Sequence, residues 1–303
     1  MKSFIAQIPK NQLLFFGKIL GSLLYYLAAP QRRVVMRNLQ FSRIESSPQQ
    51  IQSLAKRIFQ HFGITILELL QMTCFSQKEL LTNLHIENKE ILIEALSRQR
   101  GVVLVSAHLG NYELAWQYIP CYFGRQMVGV AKKMRNVRLD RLIHQIRTRF
   151  GNRVLYKKGA LPEMMQTLRQ GEIVGLLMDI SRRFEGVEVT FWGRRATATP
   201  AAALLGLRCK SPIIPAFCHR NGNGKLIVRI EPPIEIQRTK DLRFDLQKNT
   251  QLITDRLEQA IRNYPEQWNW MLKRWKEFYP TLYPENPQRL RKIKKKEQKK
   301  RRL

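Results

Sequence analysis

In "GVVLVSAHLGNYELAW" (101–116) an apolar run stops at His108, and Glu113 follows five positions later with Gly110 and Asn111 between. An imidazole with a carboxylate close behind it has the parts of a general base: one ring nitrogen donates to the carboxylate, and the other faces a reactant. Residues 101–107 suit a buried strand, so His108 falls at its carboxyl end, where open α/β sheets place ligands. Gly110 and Asn111 allow a tight turn, and Asn111 is a sound cap for a helix beginning at "YELAWQYI". Glu113 then sits in the first helical turn, and the spacing predicts that its carboxylate accepts from His108. The chemistry suggested is deprotonation of a hydroxyl or amine that attacks a carbonyl, with the acceptor itself as nucleophile. The competing reading is a satisfied structural histidine, since His-x4-Glu also arises by chance.

The elements that must hold this pair follow from the pattern around it. Residues 46–98 read as helices, with Ser47 as a cap and Pro48 just inside. Short apolar runs at 101–107, 126–131, 153–156, 172–179, 187–191, 211–219 and 225–230 read as strands. Helical patterns lie between several of them, as in "VRLDRLIHQIRTRF" (137–150) and "ALPEMMQTLRQ" (160–170). The expected fold class is α/β, a mixed and largely buried sheet flanked by helices. The expected divisions are an N-terminal membrane-anchoring helix over 1–31, one domain over 32–284 and a basic tail over 285–303.

The 303 residues carry a formal charge of +30. That excess implies acidic partners: nucleic acid, an anionic bilayer, a phosphorylated substrate or an acidic carrier protein. The run "RLRKIKKKEQKKRRL" (289–303) holds ten of the Lys/Arg residues against one glutamate. It reads as a disordered extension and equally as a polybasic tether, which are compatible. Near the other end, Leu13 to Ala29 carries one charge, Lys18. Its length is at the lower limit for crossing a bilayer core, so it reads as a spanning or interfacial helix, or as a helix packed on the body. Arg32, Arg33 and Arg37 follow it, which places the body on the cytoplasmic side. Cys74, Cys121, Cys209 and Cys218 show no paired or metal-ligand rhythm and read as reduced thiols. No metal site is expected. A nucleic-acid-binding protein remains as an alternative on charge, but the sequence carries no RNP motif or zinc finger.

"HLGNYE", followed by "GEIVGLLMD" and "FWGRRATATPAAALL", resembles the late acyltransferases of lipid A biosynthesis, of the His-x4-Asp/Glu branch of membrane acyltransferases. The resemblance runs from about residue 32 to 276. It implies acyl transfer from an acyl carrier protein thioester to a lipid hydroxyl at the cytoplasmic face of a bacterial inner membrane, with anionic membrane lipids as partners, no cofactor and no nucleic acid. It also implies His108 as base and Glu113 as its partner. Asp179 matches the Asp of the family's Asp-Gln pair, with Ile180 in place of Gln; it reads as a substrate contact or as a helix cap. Gly193 and Arg194 match the family's Gly-Arg, where Arg194 or Arg195 binds a phosphate or is a surface charge. Ala131-Lys132 stands where the family has Tyr-Arg, so Lys132 keeps the charge without the bidentate fork. Asn111 completes the expected substrate-binding set. The departures leave room for a relative acting on another glycolipid, phospholipid or aminolipid. The tryptophans of "PEQWNWMLKRWK" read as packing or as interfacial anchors.

Overall fold

The computed structural model describes residues 8–134, 136–156, 159–182 and 186–284. The basic tail lies outside the described residues. Helix α1 (Lys10–Leu27) is followed across a 92° bend by α2 (Ala29–Ser42), with Pro30 in the first turn of α2. Helix α3 (Pro48–Met72) starts in a capping box in which the Ser47 hydroxyl accepts from Gln50 N–H and the Gln50 side chain accepts from Ser47 N–H. It leads through α4 (Gln77–Asn83) to strand β1 (Leu84–Glu87) and α5 (Lys89–Ser97).

The core follows as alternating units: β2 (Val102–Ser106), α6 (Tyr112–Phe123), β3 (Met127–Ala131), α7 (Val137–Thr148), β4 (Arg153–Tyr156), α8 (Ala160–Arg169) and β5 (Ile173–Leu177). A hairpin of β6 (Val187–Phe191) and β7 (Arg194–Ala198) precedes α9 (Ala201–Cys209), β8 (Ile213–Arg220), β9 (Leu226–Ile230) and α10 (Leu242–Asn263). Seven strands form one sheet in the order β1-β9-β8-β2-β5-β3-β4. The five from β8 to β4 run parallel, β9 is antiparallel to β8, and β1 is parallel to β9. The expected mixed α/β sheet is therefore present. Strand β8 is buried along its whole length and β2 nearly so, because helices cover both faces.

Two strands were not legible in the sequence. β1 is only four residues long and sits among helices, in the region read as wholly helical. β7 begins with two arginines, which mask its pairing with β6.

Along α1, Leu13, Gly17, Gly21 and Tyr25 repeat every four residues and are buried. This stripe lies on α3, where Gly63 meets Gly17 and Gly21 backbone to backbone. The opposite stripe, including Phe15, Phe16, Ile19, Leu23 and Leu27, is exposed. No single helix among the described residues is long and apolar enough to cross a membrane, although the bent pair α1–α2 together has the length and composition.

Candidate active site

Sheet register builds the centre of the site. β2 and β5 are parallel neighbours with Ser106 opposite Leu177, so the chain two residues beyond each strand meets across the sheet end. Those residues are His108 and Asp179. The Asp179 Oδ1 lies 2.8 Å from His108 Nδ1, and its Oδ2 accepts from the His108 backbone N–H, also at 2.8 Å. Oδ2 accepts a further bond from Trp268 Nε1 at 2.8 Å. The Asp179 side chain is fully buried and that of His108 is 12% exposed.

Burial alone would lower the His108 pKa, but the charge and hydrogen bond of Asp179 outweigh it and hold the imidazole above its ordinary 6.5. Burial would raise Asp179, while His108 and the Trp268 and backbone donors keep it below its ordinary 3.8. An ionised carboxylate is acceptor-only, so it fixes the proton of a neutral His108 on Nδ1 and leaves Nε2 as the basic atom.

The turn carrying His108 is fixed from outside the sheet by the segment after α10. His108 C=O accepts from Asn269 N–H, and Gly110 N–H donates to Gln267 C=O, both at 3.0 Å. Gly110 has φ +55°, and a Cβ there would lie 2.3 Å from Cys218 O, so the turn requires glycine. "PEQWNWMLKRWK" thus has a use beyond packing: Trp268 is a donor to Asp179, and its ring packs against Trp192, Trp270 and Phe191.

Glu113 does not occupy the position expected of it. It accepts from Arg147 Nε at 2.9 Å and from Arg147 Nη2, in a fork typical of arginine and carboxylate. The ring nitrogen assigned to it goes to Asp179. The reason is local: once Asn111 caps α6, the first turn directs residue 113 towards α7, while the β5 end delivers Asp179 against His108. Glu113 still lies near enough to add to the negative potential at His108 and lines the same cavity.

Asn111 caps α6 as expected, its Oδ1 accepting from Leu114 N–H at 3.1 Å. Its Nδ2 donates to Glu68, which pairs with buried Arg220. Asn111 is wholly buried in this network and is not among the residues that line the cavity. Lys132, just after β3, lines the same cavity as His108. Gly193 forms the β6–β7 turn with Trp192, both at positive φ. The Arg194 guanidinium stacks 5.0 Å above the Phe41 ring. Neither Gly193 nor Arg194 lines the cavity, because the hairpin containing them packs on α10 and α2 instead.

The cavity measures about 370 Å³ and runs from His108 and Tyr112 between α6 and the sheet. Its deeper wall is apolar: Leu104, Trp116, Ile119, Met127 and Val154 line it. Trp116 reaches this wall because the sheet beneath it is glycine. A Cβ on Gly129 would fall 2.0 Å from the indole, and one on Gly175 2.9 Å. The Trp116 Nε1 donates to Arg147 C=O at 3.3 Å. Sequence reasoning missed Arg147, Tyr112, Trp116 and Arg182 as cavity residues. Gly129 and Gly175 at mid-strand were the available signal, because glycine inside a strand often marks a close approach.

The site thus joins a buried histidine–aspartate pair to a largely apolar cavity. The description "Bacterial lipid A biosynthesis acyltransferase" matches residues 1–277, and the chain belongs to that family. It is an acyltransferase of lipids. The chain is 24% identical over 286 residues to the lipid A biosynthesis lauroyltransferase of Escherichia coli, covering 92% of this chain and 91% of the other. It is 21% identical to the lipid A biosynthesis myristoyltransferase of the same organism, covering 84% and 78%. A phosphatidylinositol mannoside acyltransferase of Mycolicibacterium smegmatis is 26% identical over 189 residues, 61% of this chain and 60% of that protein's length.

Proposed function

We propose that the protein transfers a fatty acyl chain from an acyl carrier protein thioester to a hydroxyl of a lipid A precursor, with His108 as general base. The observation that carries this reading is His108, held by Asp179, at the head of an apolar cavity. His108 Nε2 takes the proton of the acceptor hydroxyl as its oxygen attacks the thioester carbonyl. The tetrahedral adduct then expels the carrier thiolate, which recovers the proton from His108. The acyl chain lies along Trp116, Ile119 and Met127. Asp179 keeps the Nδ1 proton in place and stabilises the imidazolium that forms. Glu113 acts through Arg147, fixing α7 and the cavity wall.

The setting proposed is the cytoplasmic face of the bacterial inner membrane. The exposed apolar stripe of α1 supports contact with lipid, and the net charge of +30 suits an acidic carrier and anionic headgroups. The acyl donor serves as co-substrate, and the scheme calls on no cofactor or metal. A second acceptor class, glycolipids of the phosphatidylinositol mannoside kind, is favoured by the similarity to such an acyltransferase and by Ile180 and Ala131-Lys132 at the altered motif positions.

The test is turnover in detergent for wild type and His108→Ala, with acyl-carrier-protein and acyl-CoA donors against lipid A precursors and other lipids. The expected result is transfer to a lipid A precursor, reduced about 10²–10⁴-fold by the substitution. Transfer to a different lipid would change the acceptor only. Equal rates in the two proteins would remove His108 from the mechanism.

A further inference from the structure

The polar side chains along the His108 cavity differ in whether they are already engaged. Glu113 and Arg147 answer each other. Two hydroxyls are different. Tyr112 and Ser106 both line the cavity, and neither side chain has a hydrogen-bond partner among the described residues. Nor is either oxygen sealed inside the protein, as the Trp192 indole nitrogen is. An unbonded, accessible hydroxyl on a residue that lines a cavity is available to whatever enters it.

Tyr112 is the first residue of α6, next to its Asn111 cap, so the turn that sets His108 also sets this ring. The two rings meet edge to face, with centres 4.8 Å apart and planes at 69°. Burial and the negative charges of Glu113 and Asp179 outweigh the opposing Arg147 and raise the phenol above its ordinary 10, so it is a protonated donor at neutral pH. A base within about 3 Å of the acceptor oxygen, and a carbonyl carbon about 3–3.5 Å beyond that oxygen, put the carbonyl no more than about 6–7 Å from the imidazole. A phenol oxygen on a ring centred 4.8 Å from the imidazole falls in the same range. Ser106 lies on the His108 face of β2, but an aliphatic alcohol is a weaker donor than a phenol.

We propose that Tyr112 is a further catalytic residue, its hydroxyl donating to the thioester carbonyl oxygen and to the oxyanion that this oxygen becomes. The assignment rests on the acyltransferase reading. As the acceptor oxygen bonds to the carbonyl carbon, the C=O π pair moves onto the carbonyl oxygen and His108 takes the acceptor's proton. The Tyr112 proton stays on the phenol throughout, and its hydrogen bond tightens as charge gathers on the oxyanion. When the π bond re-forms, the carbon–sulfur bond breaks and the thiolate takes the proton back from His108. Arg147 is not free for this task, because its guanidinium is held in the fork to Glu113.

The test is single-turnover transfer from lauroyl-acyl carrier protein to a lipid A precursor by the full chain in detergent, for wild type, Tyr112→Phe, Ser106→Ala and His108→Ala. Tyr112→Phe keeps the ring and removes a hydroxyl that no described protein group bonds, so thermal unfolding should be unmoved. Its rate at saturating substrates should fall about 10²–10³-fold with donor affinity unchanged. A near-normal rate, a smaller loss than in Ser106→Ala, or a loss that saturation restores would each overturn the proposal. If Tyr112→Phe unfolds early, a fluorinated tyrosine at that position is read instead: it is a stronger donor of the same shape and should raise the rate, and a fall would overturn the assignment. A second measurement reads the contact without turnover, from the infrared carbonyl stretch of ¹³C-labelled lauroyl thioester bound to the His108→Ala chain. Adding Tyr112→Phe should move that stretch to higher frequency, and an unmoved stretch would refute the hydrogen bond. Absence of His108-dependent transfer in the wild type would sink the acyltransferase reading and the catalytic role with it, while a moved stretch would keep the contact.

Discussion

Asp179→Asn separates the two carboxylates more sharply than any other single change. The side chains are isosteric, and the hydrogen bonds on Asp179 are divided unevenly. Oδ2 accepts from both the His108 backbone N–H and Trp268 Nε1, whereas Oδ1 faces only His108 Nδ1. An asparagine satisfies the two fixed donors by placing its carbonyl oxygen at the Oδ2 position. Its NH₂ then points at Nδ1, which must become an acceptor, and the imidazole proton moves to Nε2. Nε2 is the atom proposed to take the substrate proton, so the base is lost while the fold keeps its contacts.

A tautomer error of this kind in a histidine–aspartate pair costs about 10⁴-fold. We expect a loss of about 10³–10⁴-fold in kcat here, equivalent to ~4–5.5 kcal/mol of transition-state stabilisation. Glu113→Gln leaves Nδ1 and Asp179 untouched and weakens only the fork to Arg147, so its loss should be about tenfold or less, a single charge-assisted hydrogen bond being partly replaced. The assay is single-turnover transfer near neutral pH for wild type and both variants, with the tautomer read from ¹⁵N shifts of labelled histidine. Near-normal turnover in Asp179→Asn, or a larger loss in Glu113→Gln, would refute the assignment of Asp179 as the residue that orients His108.

The pH profile should carry the same signature: His108 works only when neutral and its pKa is raised, so the rate falls with decreasing pH through a value above 6.5, to be measured as kcat/KM against pH. The same pair should stabilise the fold most between about pH 4 and 6.5, since the raised histidine loses its contribution as pH rises through its folded pKa and the lowered aspartate loses its own as pH falls through its folded pKa; urea unfolding should show that dependence flattened in Asp179→Asn. Gly129→Val would drive a side chain into Trp116, costing about 1–3 kcal/mol in chemical denaturation and shifting donor preference to shorter acyl chains in a competition assay. Glu68→Ala would strand Arg220, whose side chain is 3% exposed, and should cost about 3–5 kcal/mol by the same denaturation assay.

How much of this was legible depended on the range of the interaction. The order of strands and helices from 101 to 230 was open to reading because each strand is a short apolar run punctuated by glycine. His108 at a strand end followed from the same pattern. Asp179 was recognised as a strand-end residue but not as the partner of His108, because 71 positions separate them and only the β2–β5 register joins them. Trp268 is still further away in sequence, and nothing in its own neighbourhood announces a donor to Asp179. Gly193 and Arg194 show the opposite case: their motif is conspicuous locally, but where it packs, on α10 and α2 and away from the His108 cavity, is set by the tertiary fold.

The spacing that first drew attention, His-x4-Glu, therefore has a physical basis other than contact within the pair. His108 must stand just past the β2 end to meet Asp179, and Asn111 must cap α6 to start the helix that lines the cavity. With both fixed, residue 113 falls in the first turn of α6, where its carboxylate meets Arg147 on α7. Arg147 in turn holds the Trp116 indole through its carbonyl oxygen, and the indole rests on the glycines of β3 and β5. The short motif thus couples His108 to the cavity wall formed by Trp116. A change at Glu113 should accordingly appear first in acyl-chain selectivity, through movement of Trp116, and only second in the proton transfer itself. A Glu113→Gln enzyme with altered rate but unchanged preference across donors of graded chain length would contradict that coupling.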